Sequence, residues 1–410
     1  MEVGVGSDST LAIMKSLQIT CPYMATAMLL FAFCAALTAQ NPIPNRQNPA
    51  SQSSLSQSAD RTSASGTDPE QELQQGTALT RRGSFSEAIP HLLAARGHVA
   101  NEYAATFNLA LCYLGTNQSK RAIDVLKALQ EGGHDGADVE NLLSQAYIGN
   151  SQPEDALAAL EKAAALTPEN EKLYAFVADA CADHKQYRLG LKVVAIGLQH
   201  MPQSARLHYA RAVFLSQLDA LDQAKQDFAL AAKLAPGSEI AALASAHEHL
   251  LSGDIPEAIR IAREAVRQGF ENPALLTILG EALIRSGASP GQPDFLEAQT
   301  VLNKAVAKEP QDTASQIALG SLDLAAGQLE SAIEHLEIAR QLDPENPAVY
   351  ANLAKAYQRR GDAQLARNAL TKLEQLNRQQ AERINSAPGD RKLGYASPNL
   401  AGQGVETQKP

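Results

Sequence analysis

Two stretches of the chain, ALCYLGTNQSKRAIDVLKAL at 110–129 and SQAYIGNSQPEDALAALEKA at 144–163, decide the fold when laid one above the other. A small residue opens each, Ala110 and Ser144, and a tyrosine follows three residues later, Tyr113 and Tyr147. A second small residue, Ala122 and Ala156, falls twelve residues after the first, and Leu126 and Leu160 follow it by four. Spacings of three and four put side chains on one face of a helix. The break between the two halves of each stretch, at Gly115–Ser119 and Gly149–Pro153, reads as a turn between two helices.

Worked outward, the pattern becomes a ladder. The second small residue recurs at Ala88, Ala122, Ala156, Gly190, Ala224 and Ala258, in five successive steps of 34. Ala298 follows after a step of 40, and Ala332 and Ala366 resume steps of 34. The first small residue keeps pace at Gly76, Ala110, Ser144, Ala178, Ala212, Ala246, Gly280, Gly320 and Ala354. Large hydrophobes share one further position: Leu92, Leu126, Leu160, Val194, Phe228, Leu302, Leu336 and Leu370. A period of this length marks stacked helical pairs, each too small to bury its own apolar face. The helices of a pair cross at the small residues, where larger side chains would hold the axes apart. Pro168, Pro202, Pro236, Pro310 and Pro344 close units and are expected to open the next helix, Pro344 with Asp343 as its cap, as Pro69 has Asp68. Gly83, Gly253, Gly327 and Gly361 fall between paired helices, where a left-handed C-cap is wanted. Six extra residues in the seventh unit, around 287–293, read as a surface loop, either a tolerated length change or an added recognition loop.

This pattern resembles the tetratricopeptide repeat, over nine units spanning residues 69–378. The resemblance implies an all-α fold, a right-handed α-solenoid of about nine helix-turn-helix units, with a non-catalytic binding role. Its concave face, lined by the first helix of each pair (helix A), is expected to receive an extended peptide or a partner helix. The tryptophan common early in such repeats is absent; Tyr174 and Tyr350 stand there in two units. His249 and Asp323 occupy a position usually held by Tyr or Leu, so the sixth and eighth units are expected to pack less tightly. In this register the groove holds Phe107, Asn108 and Leu111, then Asn141 and Gln145, then Lys172 and Asp179. Arg206, Tyr209 and His247 follow, then Thr277, Glu281 and Arg285, and finally Asn352, Lys355 and Arg359. Asn108 and Asn352 match the helix-A asparagine whose amide can hold a peptide backbone. The family's clamp for a chaperone carboxylate needs two Lys, two Asn and an Arg. Leu73, Thr77, Asn108, Asp138 and Leu142 stand there instead, so chaperone docking is not expected.

The chain ends read differently. Residues 19–39 carry no charge, Lys15 precedes them, and Ala36–Gln40 supplies a small-residue exit. These are the parts of a secretory signal peptide, expected over 1–39 with Met14 as the working start and cleavage after Ala39. The alternative is an uncleaved inner-membrane anchor facing the periplasm, since the uncharged window approaches the ~20 residues that cross a bilayer. Residues 40–68 read as a disordered Ser/Gln/Pro linker, and 379–410 as a helix end and disordered tail. The expected protein is therefore an exported, periplasmic or secreted scaffold or adaptor of the cell envelope. Its alternatives are an anchored assembly factor for a pilus, secretion or polysaccharide-export system, and a non-catalytic subunit of an envelope enzyme complex.

Composition narrows the partner. A net charge of −10 argues against nucleic acid and leaves a protein or peptide, with membrane contact only through an uncleaved anchor. Self-association stays open, because the end units lack obviously polar caps. Cys112 and Cys181 lie two repeats apart, beyond the ~7 Å limit for a bridge, and are expected to be buried free thiols. No cofactor or metal site is expected. His247 and His249, two apart on a helix, point to different faces, and no phosphate-cradling glycine loop, G-x-S-x-G or Cys-x-x-Cys occurs.

Overall fold

A computed structural model describes residues 68–386. The expected signal peptide, the expected linker as far as residue 67 and the expected tail from 387 lie outside the described residues. Among them the fold is all-α, with eighteen helices and no strand. The helices pair into nine repeats. The first four pairs are α1 (Pro69–Arg81) and α2 (Phe85–Ala95), α3 (Glu102–Gly115) and α4 (Ser119–Glu131), α5 (Ala137–Gly149) and α6 (Pro153–Leu166), and α7 (Glu171–Asp183) and α8 (Tyr187–His200). The next three are α9 (Ala205–Gln217) and α10 (Leu221–Leu234), α11 (Glu239–Ser252) and α12 (Ile255–Arg267), and α13 (Pro273–Arg285) and α14 (Pro293–Lys308). The last two are α15 (Thr313–Ala326) and α16 (Leu329–Leu342), and α17 (Pro347–Arg360) and α18 (Ala363–Ser386). Odd-numbered helices are helix A of each repeat, even-numbered ones helix B.

The chain forms two compact units, one up to Ala318 and one from Leu319 onward. In the first, each helix from α1 to α13 packs on the next in sequence, and each helix A up to α11 also touches the helix A of the following repeat. That makes an α-solenoid with a continuous A-helix face. In the second, α16 packs on α17 and α17 on α18.

The small-residue ladder is steric. A Cβ added to Gly280 would lie 2.4 Å from Leu302 Cγ, and one on Gly190 would lie 2.5 Å from Phe214 Cζ. The same relation joins Gly76 to Leu92 and Gly320 to Leu336. The shared hydrophobe is fully buried in Leu92, Leu126, Leu160, Val194, Phe228, Leu302 and Leu336, but Leu370 is 49% exposed. Among the described residues no tenth helix A follows to cover it. On the same helix exposed Arg367 stands where Ile333 and Ile123 stand in earlier repeats.

A second ladder lies in the A-to-B turns. Gly83, Asn117, Ser151, Lys185, Asp219, Gly253, Gly287, Gly327 and Gly361 all have positive φ, between 55° and 95°. One register position thus always adopts the left-handed C-cap, and repeats two to five reach it without glycine. The helix starts are equally regular. Asp68, Asn101, Ser204, Ser238, Asn272 and Asn346 each accept a hydrogen bond from a first-turn amide, and Asp312 accepts from the Ser315 amide at 2.8 Å.

The closing prolines do something other than expected. Pro168, Pro202, Pro310 and Pro344 lie in the turns, two residues before the position that caps helix A, and Asp343 ends α16 rather than capping α17. Their carbonyls are acceptors. Tyr174, His208, Gln316 and Tyr350 donate to Pro168, Pro202, Pro310 and Pro344 respectively, at 2.8, 3.1, 2.7 and 2.8 Å. All four donors occupy the position where the family carries tryptophan, so a polar tip reaching the proline carbonyl replaces a large ring. Looser packing at Asp323 is not found: it is 4% exposed and accepts from Ser331 Oγ at 2.5 Å. Cys112 and Cys181 are buried free thiols, and burial raises them to about 11 and about 12, which keeps them unreactive. The insertion lies where expected, between α13 and α14, with Gly287 and Gly291 at φ 91° and 86°.

Candidate functional site

The A-helix face does not present all its expected residues. In repeats two and three it is largely filled from within. Phe107, Asn108 and Asn141 are buried, Phe107 against Tyr103 with ring centroids 5.4 Å apart. Asn141 Nδ2 donates to Leu173 O at 2.8 Å and Gln145 Nε2 donates to Asn141 Oδ1 at 2.7 Å, so this amide pair ties α5 to α7. Asn108 Nδ2 is held by Ala104 O, while its buried Oδ1 has no partner among the described residues. Further on, Arg285 Nη1 donates to Leu250 O at 3.2 Å and sits 3.6 Å from Glu281, and Thr277 is buried. Arg359 makes the same kind of bond to Leu324 O at 2.6 Å within the second unit, where Asn352 is half-buried and Lys355 exposed. These arginines satisfy orphan carbonyls at the end of the preceding helix A.

Repeats four and five are open. Lys172 is exposed, and Arg206 stands 3.7 Å from Asp179, the two side chains 40% and 50% exposed. Tyr209 is half-buried beside Phe228 and His247, at 5.4 and 6.2 Å between centroids. The His247 ring stacks on Phe228 at 4.4 Å, its Nδ1 has no partner among the described residues, and burial lowers it to about 4. His249 instead pairs with Asp254 at 3.1 Å, so the two imidazoles do meet different surroundings.

Three further carboxyls act electrostatically on or beside residues of this face: Asp183, at the end of α7, and Glu309 and Asp312, in the α14–α15 turn. Being set deep among protein atoms raises Asp179 to about 6, with Arg206 opposing. Asp183 rises to about 6 through the same desolvation and through Asp179. Glu309 rises to about 7 through desolvation, then Asp312, Asp183 and Asp179. Burial and the Asp312 charge together push the Tyr209 phenol well above its ordinary value. Repeat four and the α14–α15 turn are therefore within electrostatic reach of one another. Asp179 and Asp183 are exposed. No sequence spacing marks Glu309 or Asp312, because they lie in a turn outside helix A.

A cleft of roughly 700 Å³ opens on the rim where α7, α9 and α11 begin, lined by His200, Met201, Arg206, Leu234 and Ile240 among others. Among the described residues no group of three or more His, Cys, Asp or Glu is placed to hold a metal ion, and no helix is long and apolar enough to cross a membrane.

Two family descriptions match the sequence, "Tetratricopeptide repeat" over residues 79–146 and "TPR repeat" over residues 320–361. No curated protein matches it. Among solved structures, the APC/C hetero-tetramer Cut9–Hcn1 is 19% identical with a TM-score of 0.46, covering 75% of this chain and 66% of its own. A tetratricopeptide repeat protein from Parabacteroides merdae is 16% identical with a TM-score of 0.41, covering 70% and 98%. YrrB, described as having an unusual peptide-binding site, is 19% identical with a TM-score of 0.32, covering 48% and 98%.

Proposed function

We propose that the chain, whose residues 79–146 and 320–361 match tetratricopeptide-repeat models, is a protein-interaction scaffold of that family. The groove of its first unit holds a segment of a partner protein, without catalysis, across repeats four and five. The observation that carries this reading is the contrast along one face. In repeats two and three Phe107, Asn108 and Asn141 are buried and Asn141 ties α5 to α7, whereas Lys172, Asp179 and Arg206 are open to solvent with Tyr209 half-buried beside them. Ionic and aromatic groups left open in a concave surface are the usual means of fixing a peptide's register. The export features of the sequence favour the cell envelope as the place of action, with an anchored assembly factor or an enzyme-complex subunit as variants of the same binding role.

Crosslinked capture from the native host tests this, comparing wild type with Tyr209→Ala/Arg206→Glu. An envelope protein retained by wild type and lost by the variant is the expected result. Unchanged partners in both would move the interaction off this face, and recovery of cytosolic proteins only would overturn the envelope assignment.

A further inference from the structure

The last repeat leaves open a surface that the earlier ones bury. Four residues beyond the small residue of helix B, Leu92, Leu126, Leu160, Val194, Phe228, Leu302 and Leu336 are fully buried, but Leu370 is 49% exposed. Three residues further on, Ala95, Leu129, Ala163, Ala231, Ala265, Ala305 and Ala339 are buried, whereas Leu373 is half-buried. Before the last repeat this second position is Ala or Gly everywhere except at Leu129. A Cβ on Gly197, which fills it in repeat four, would lie 2.8 Å from Leu207 Cδ1 on the following helix A, so the position is where that helix comes close. Leucine at 373 holds off a helix packed at such a distance and leaves room for a thinner, extended segment. That disfavours a second copy stacked end to end, which would bring a helix against this surface.

The sequence continues past the described residues, and its next stretch has the right composition and reach. Pro388–Gly389 is a turn signal directly after α18, which ends at Ser386. Beyond it come Leu393, Tyr395 and Leu400, the last within Asn399-Leu400-Ala401. The same tripeptide stands in helix A of repeats two and nine, at 108–110 and 352–354, where Leu109 and Leu353 are 0% and 1% exposed. Leu370 lies about 24 Å back along the helix from Ser386, and the chain from Ser386 to Leu400 spans up to roughly 46 Å when extended. Pro398, with Gly394, Gly402 and Gly404, disfavours a tenth helix A in this stretch and suits an extended path. We propose that residues 393–401 of this chain run back along α18 and cover Leu370 and Leu373, closing the array in place of a further repeat.

The test puts a photoreactive residue in the full chain in place of Leu370 and maps the crosslinked peptides by mass spectrometry. Leu365 is the control site, 43% exposed and about 140° away around α18. Position 370 links within one molecule to a peptide containing residues 393–401, in a yield independent of protein concentration, and position 365 does not. A second measurement leaves residue 370 native. Tyr395→Ser/Leu400→Ser speeds amide exchange in α18 by about tenfold, equivalent to ~1.4 kcal/mol of protection, and leaves α1 and α2 as in wild type. No tail link from position 370, tail links equally frequent from both positions, or unchanged exchange in α18 would each overturn the proposal. Links from position 370 only to another molecule would overturn it too, and would seat a second copy on this surface.

Discussion

The left-handed ladder gives the sharpest test of how the repeats are built. Ser151 is exposed and sits at φ 59°, in the position that Gly253 fills at φ 79°. A residue with a Cβ pays roughly 1–2 kcal/mol for that conformation. Replacing it by glycine returns that strain but adds roughly 0.5–1 kcal/mol of unfolded-chain freedom. Ser151→Gly should therefore stabilise by about 0.5–1 kcal/mol. The reverse change, Gly253→Ala, meets nothing within 4 Å of the new Cβ, so its whole cost is backbone. It should destabilise by about 1 kcal/mol. Guanidinium unfolding followed by far-UV circular dichroism gives the midpoints. Amide exchange localises the change to α5 and α6 or to α11 and α12, since stacked repeats couple mainly to their neighbours. If Ser151→Gly lowered the midpoint as Gly253→Ala does, the left-handed ladder would not be the strained feature described here.

Two further outcomes follow from the polar groups. Asp227 is 6% exposed and accepts from Arg211 Nε and Nη2, both at 2.6 Å, and from His208 at 3.0 Å. Burial alone would raise its carboxyl, but the hydrogen bonds from His208 and Arg211 outweigh it and hold the value low. Asp227→Asn leaves the part-buried Arg211 guanidinium poorly paired and should cost roughly 3 kcal/mol in denaturant unfolding; a loss under about 1 kcal/mol would show the network to be dispensable. The groove carboxyls predict a stability that depends on pH. Asp179 and Asp183 near 6 and Glu309 near 7 bind protons more tightly folded than unfolded, so their contribution falls as pH rises from about 4 to about 7. His247, held near 4, acts in the opposite sense up to its ordinary value of 6.5, so the informative quantity is a difference between variants. Asp183→Asn/Glu309→Gln should melt above wild type at pH ~8 and level with it at pH ~5; an equal melting point at both would remove the repulsion argument.

How much of this was legible in the sequence depends on whether a feature is periodic. The ladder of Ala88, Ala122 and their successors fixed helices, turns and repeat number, because it reports a steric contact that recurs at every crossing. The insertion in repeat seven was legible as a broken step. The groove was legible only as a register. Asn141 and Arg285 do lie on helix A, but what each side chain bonds depends on the neighbouring repeat, and both are taken by backbone carbonyls. Glu309 and Asp312 were beyond reach of any spacing rule, since they lie in the α14–α15 turn rather than on a helix A. The closing prolines lie in the turns ahead of helix A rather than at its first position, where their carbonyls accept from the residue at the tryptophan position. His208 and Gln316 fill it by hydrogen bonding, which no hydrophobic pattern reveals.

The most direct test of the binding role is site-specific photocrosslinking in the native host, with the photoreactive residue at Tyr209 in the groove or at Leu166 on the outer end of α6, which is 57% exposed. The account predicts a discrete protein adduct from position 209 and none from position 166. Adducts of the same size from both positions, or from 166 alone, would contradict it and place the interaction outside the helix-A groove.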